Sequence, residues 1–133
     1  MPDEEIQDLL SKWESVYKKG LLSFWLLLLI HAKPSYPYEI GQALGELSQG
    51  TITADDNSIY RALNRFEDLG LVKSEPQQSN LGPPRKYYRL TGNGVRLLAK
   101  FIQRNIQVFA APAIAARIQA VLEDVTTPEE MNL

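Results

Sequence analysis

A chain of 133 residues holds one domain with a real core and an extra helix or two, and is short for two independent domains. The absence of cysteine excludes disulfide scaffolds and cysteine-based zinc sites, and lone His31 has no partner for a two-histidine site, so no metal or cofactor is expected. The formal net charge of −2 hides a basic centre, with twelve bases against seven acids over residues 18–104 and an acidic excess at both ends, an asymmetry that points to an anionic partner.

Ile6, Leu9, Leu10, Trp13, Val16 and Tyr17 recur at the three-and-four spacing of one helical face, with acids in the first turns where the macrodipole favours them. This predicts an amphipathic helix over residues 1–19, ending near Gly20, that packs on its own domain or on a second subunit. The run LLSFWLLLLIHA, Leu21 to Ala32, is read as a buried core helix. A bilayer span takes roughly 20 apolar residues, and the acidic start MPDEEIQDLL lacks the positive charge of a signal peptide. The expectation is a cytoplasmic protein with no membrane segment.

Lys33-Pro34 stops that helix, and Pro37 opens a second in which Ile40, Ala43, Leu44 and Leu47 form the inward stripe and Ser48-Gln49-Gly50 the end. The third helix, over residues 55–70, buries Ile59, Ala62, Leu63, Phe66 and Leu69, and Gly70 caps it in the left-handed conformation. Beyond Gly70 the apolar period changes to two. Residues 71–75 and 86–90 read as strands around an exposed ten-residue loop, PQQSNLGPPR. Thr91 then caps a helix carrying Val95, Leu98, Phe101 and Ile102, which runs toward Ala111 until Pro112 ends or kinks it. A last helix, from Ala113 to Val125, buries Ile114, Ile118, Val121 and Leu122, and residues 126–133 form a tail.

Three helices, a hairpin and more helix is the order of a winged helix-turn-helix, a mainly α fold with a small antiparallel hairpin. The segments GLLSFWLLLLIHAKPSYPYEIGQAL, NSIYRALNRFEDLGLV and GPPRKYYRLTGNG, in that order, resemble the PadR family of bacterial transcriptional regulators. The resemblance covers roughly two thirds of the chain, and its most specific parts are Y-E-I, I-Y-R-A-L and G-P-P-R-K-Y-Y-R-L-T. It implies a homodimeric repressor with a winged-helix head over residues 20–91, dimerised through helices over 92–125 and often released from its operator by a small molecule. The short C-terminal part is similar to that of the compact members, among them a cyanobacterial one that extends the circadian period. Asp55, Asp56 and Asn57 depart from the small residue, Pro and Gly of many relatives, and Pro37 replaces a Gly between the tyrosines of the second helix.

With Ile59 at the centre of the buried face and about 100° per residue, Asn57, Arg61, Asn64, Arg65 and Asp68 fall on the solvent side, with Ser58 and Tyr60 on the shoulders. Arginine can take guanine O6 and N7, asparagine can pair with adenine, and hydroxyls suit phosphate oxygens. The alternative is an ordinary solvated helix face. Asp68 can pair with Arg65, three residues back. In the wing, Arg85, Lys86, Tyr88 and Arg89 are the candidate DNA contacts. Alternation along the strand sends one of Tyr87 and Tyr88 to the core. Lys33, Tyr36 and Tyr38, at the start of the second helix, form a secondary phosphate site. Ile6, Leu10, Trp13, Leu98, Phe101, Ile102 and Phe109 are the dimer or packing residues, and a small-molecule slot would lie near Trp13, Phe101 and Phe109.

Two other classes were weighed. Catalysis is disfavoured: adjacent Asp55 and Asp56 point apart, His31 sits at a helix end, and no nucleophile elbow or phosphate loop is present. A winged helix used only for protein contacts is the alternative that salt dependence of DNA binding separates.

Overall fold

A computed structural model describes residues 1–79 and 82–126. The centre of the predicted wing loop, Asn80-Leu81, and residues 127–133 of the predicted tail lie outside them. The elements are α1 (Asp3–Ala32), α2 (Pro37–Leu47), α3 (Asp56–Asp68), β1 (Val72–Ser79), β2 (Gly82–Leu90), α4 (Gly92–Phe101) and α5 (Pro112–Thr126). The fold is mainly helical with one antiparallel hairpin, as the order of elements predicts. Residues 1–98 form one compact unit and residues 99–133 a second.

In the first unit, α1 is continuous through Gly20, where the sequence pattern predicts a break. A single glycine inside a helix costs about 1 kcal/mol, and good helix formers surround this one. No new cap follows it to start another helix. Helix α1 ends where Lys33 turns extended (φ −164°, ψ 151°), the conformation imposed by the following Pro34. Tyr36 is extended before Pro37 in the same way, and Pro37 supplies the first turn of α2. Among the described residues no single helix is long and apolar enough to cross a membrane.

The core gathers Leu26, Leu27 and Ile30 of α1, Ile40 and Leu44 of α2, and Ile59, Leu63 and Phe66 of α3. Leu47 and Leu69, predicted inside, are exposed (64% and 66%) at the C-terminal ends of their helices. The turn between α2 and α3 is held by buried Ser48. Its Oγ donates to the Ile52 carbonyl (3.1 Å) and accepts from the Ile52 N–H (3.0 Å), so Ile52 can enter the core without orphaned backbone groups.

Asp55 caps α3 by accepting the Ser58 N–H (2.7 Å), and Gly70 (φ 78°) closes the other end with Leu71 N–H donating to the Phe66 carbonyl (2.9 Å). The predicted strands are too short and the predicted loop too long. Pairing runs from Val72↔Leu90 to Gln77↔Arg85 and, past an irregularity, to Ser79↔Gly82. The prolines of this stretch are tolerated because each hairpin strand has an edge on which a missing N–H costs nothing. Ser35 adds a bridge on the other edge of β2, exchanging backbone bonds with Tyr88 (3.1 and 2.9 Å).

Thr91 joins the wing to α4, its Oγ accepting the Gly94 N–H (3.1 Å) while donating to the Gly70 carbonyl (2.6 Å). Of the apolar residues the helix carries, Leu98 is buried and Val95 is 41% exposed.

In the second unit the helix predicted to run toward Ala111 is irregular: a π turn at Ile102–Ile106 and a 3-10 turn at Gln107–Ala110 follow α4. The helical run stops at Ala110, as expected ahead of Pro112: Ala111 is extended (ψ 134°), and Pro112 opens α5. Ile114, Ile118, Val121 and Leu122, predicted buried, are 38–63% exposed. A fifteen-residue amphipathic helix needs a partner to bury its stripe, and its own unit supplies none among the described residues.

Candidate nucleic-acid interface

Helix α3 packs its apolar stripe inward, and so its polar residues turn out. Asn57, Tyr60, Arg61, Asn64 and Arg65 are exposed, and Ser58 is half-buried. Arg61 Nη2 donates to Ser58 Oγ (3.3 Å), and the Arg65 guanidinium lies 5.7 Å from the Phe66 ring centroid. The Asp68 partner expected for Arg65 is absent from the ion pairs of the described residues. Two of the acids at the ends of α3, Asp55 and Glu67, have structural work. The Asp55 carboxyl is held below its ordinary range, first by the Ser58 N–H and then by the Ser58 hydroxyl. Glu67 accepts from the Ser74 hydroxyl and from the Ser74 N–H (3.0 Å) and pairs with Lys86 (4.0 Å), fastening the end of α3 to both strands of the wing.

Alternation and register sort the wing into two faces. Val72, Ser74, Tyr88 and Leu90 share the face toward the core; Lys73, Glu75, Arg85, Tyr87 and Arg89 share the other. Tyr88, expected among the DNA contacts of the wing, is instead fully buried and belongs to the core. Burial, ahead of the charge of Glu67, pushes its hydroxyl pKa up, and that hydroxyl has no hydrogen-bond partner among the described residues. Tyr87 is the outer tyrosine, half-buried against Tyr36 with ring centroids 5.3 Å apart. Of the wing cations, Lys86 pairs with Glu67 and Arg89 with Glu75 (3.5 Å). Arg85 has no carboxylate partner among the described residues and lies over the Tyr36 ring, 4.5 Å from its centroid.

A cleft of about 440 Å³ separates the wing from the helices, with Arg85, Lys86 and Pro84 on one side and Tyr36, Pro37 and Tyr60 on the other. At the start of α2, Tyr38 is exposed and Tyr36 half-buried. Lys33 is paired with Glu39 (3.4 Å), whose other oxygen accepts the Tyr36 N–H (3.2 Å). The positive end of α2 is thus already served by a carboxylate of the chain itself, which weakens it as a phosphate site. Sequence reasoning missed Lys73. Its exposure on the Arg85 face follows from the hairpin register, which no short motif spells out.

The sequence profile of the PadR-like transcriptional regulator family matches residues 26–100, which hold α2, α3, the wing and most of α4. The chain belongs to the PadR-like family of transcriptional regulators. It is similar to a PadR-like transcription factor from Bacteroides fragilis, at 29% identity over 86% of this chain and 96% of that one, with a TM-score of 0.55. A PadR-like regulator from Bacillus cereus is 28% identical over 78% of this chain and 93% of its own, with a TM-score of 0.59. The Bacillus subtilis PadR in complex with operator DNA shares the fold, with a TM-score of 0.60 at 22% identity over 64% of this chain and 48% of that one. As a PadR-like chain, it has the winged helix of its family with an exposed polar α3 and a cationic wing.

Proposed function

We propose that this PadR-like regulator is a sequence-specific DNA-binding homodimer, most simply a repressor acting at an inverted-repeat promoter site in the cytoplasm. Residues 20–91 form the DNA-binding head, and residues 1–19 and 92–125 supply the dimer contacts. In the major groove, Arg61, Asn64 and Asn57 read base edges, while Ser58, Tyr60 and Arg65 meet flanking groups. Arg85, Lys86, Arg89 and Lys73 of the wing contact phosphates, which fixes register and supplies affinity. Lys33 and Tyr38 add backbone contacts once Glu39 gives up Lys33. The observation that carries the reading is the disposal of the acids of α3: Asp55 caps the helix and Glu67 grips the wing, so the exposed residues from Asn57 to Arg65 present cations and amides with no carboxylate between them.

The second subunit covers α1, where Ile6, Leu10, Trp13, Val16 and Tyr17 stay exposed, and separately the α5 stripe. Two heads about one helical turn apart then match an inverted repeat. No effector is assigned; a thermal-shift screen finds one if it exists, since a ligand of the native state raises the melting temperature.

The test is binding of the full chain to its own promoter fragment across a salt series. Counterion release predicts a steep fall of affinity with salt, with a slope set by the number of phosphates contacted. A promoter fragment that shows no salt-sensitive shift even at low ionic strength overturns the reading in favour of a winged helix that binds only proteins.

A further inference from the structure

What aims the wing is a separate question, and its answer rests on the DNA-binding reading above. A two-stranded hairpin standing alone is marginal, so its direction has to be set by what it leans on. On the core side that is Glu67. On the outer face it is Tyr36. The Ser35 bridge to Tyr88 places Tyr36 opposite Tyr87, and the two rings meet edge to face at 61°. The Tyr36 ring also stacks near Tyr38 (6.4 Å, 19°), and its N–H is held by Glu39 in the first turn of α2. One residue is therefore locked to α2 and to β2 together.

Its ring carries Arg85, a wing cation that no carboxylate neutralises among the described residues. A long side chain waving in solvent loses rotamer freedom when it grips a phosphate, whereas one already laid on an aromatic face has lost it beforehand. We propose that Tyr36 is a positioning residue that presets Arg85, through its ring, for a phosphate entering the cleft between the wing and Tyr60. The phenol oxygen of Tyr36 has no part in this. Tyr36 acts through Arg85, and Arg85 touches the DNA.

The full chain and its variants Tyr36→Leu, Tyr36→Phe, Arg85→Ala and Tyr36→Leu/Arg85→Ala are titrated against the promoter fragment across salt. Tyr36→Leu is expected to weaken binding roughly threefold to tenfold and to lower the salt slope by about as much as Arg85→Ala does, close to one phosphate. Tyr36→Phe rescues both losses, and the double variant binds no more weakly than Arg85→Ala. Equal losses in Tyr36→Phe and Tyr36→Leu would assign the role to the hydroxyl and overturn the proposal, as would additive losses in the double variant.

A measurement without DNA separates this from the wider reading. In the free protein the Arg85 Nε–H resonance carries a ring-current shift from Tyr36, kept in Tyr36→Phe and lost in Tyr36→Leu. An unshifted wild-type resonance overturns the proposal even if Tyr36→Leu fails to fold. A shifted resonance in a protein that binds no DNA leaves the contact standing and overturns both the function proposed above and a role for it in phosphate binding.

Discussion

Glu67 and Arg85 show how single side chains divide the work of the wing. The Glu67 carboxyl is held below its ordinary range, first by the Ser74 hydroxyl, with the Ser74 N–H and the charge of Lys86 adding to this and burial opposing it. A folded value below the unfolded one means that the contribution to stability is complete above the ordinary glutamate range and is lost as pH falls through the lowered value. Ser74→Ala is expected to remove part of that contribution, so thermal melts followed from neutral pH into the carboxylate range should show a smaller acid-dependent loss than wild type and a lower melting point at neutral pH. Arg61→Ala should cost about 1–3 kcal/mol in binding and relax the preference at one base pair, measured on a set of singly substituted operator fragments. Arg85→Ala should weaken all fragments alike and reduce the salt slope by about one. Arg89→Ala should reduce it less, because Glu75 already neutralises Arg89 in part. Most of these residues were legible as types in the sequence. Their pairings were not, since Glu67–Ser74, Glu67–Lys86 and Arg89–Glu75 join residues of different elements.

Among the elements, α2 and α3 were readable because their signals are local: Pro37 at a first turn and Gly70 with a positive φ at a C-terminus. Helix α1 was misread at Gly20, where the chain has open space and ordinary helical neighbours. Gly20→Ala should therefore stabilise the protein by roughly 1 kcal/mol, seen as a higher denaturation midpoint; no gain would mean that α1 is interrupted there. Gly94 carries the opposite expectation. A Cβ at that position would lie 2.2 Å from the Leu71 carbonyl oxygen, so α4 can approach the start of the wing only without a side chain there. Gly94→Ala should cost about 1–3 kcal/mol, read from chemical denaturation of the same chain. The wing was underestimated because proline argues against strand in sequence, yet a hairpin whose strands both have an open edge accepts it.

For the whole molecule the informative surface is apolar. Trp13 is 77% exposed and Val16 76%, a disposition that water disfavours and a second copy of α1 would relieve. Trp13→Glu is expected to shift the chain from dimer toward monomer in sedimentation at micromolar concentration while leaving its helical content intact. A wild-type chain that sediments only as monomer at that concentration would contradict the dimer. The order of elements from α2 to α4, the caps of α3, the inward stripes of α2 and α3 short of their last residues, and the motifs of the PadR-like family were all determined by the sequence itself, because each depends on spacings of a few residues. Only the tertiary structure decided that Tyr88 goes inward and Tyr87 outward, that Lys73 joins the cationic face, and that Tyr36 holds Arg85. A strand's alternation states that neighbours part ways. Which of them meets the core depends on the register against β1 and Ser35, and that is set by packing between segments distant in the chain.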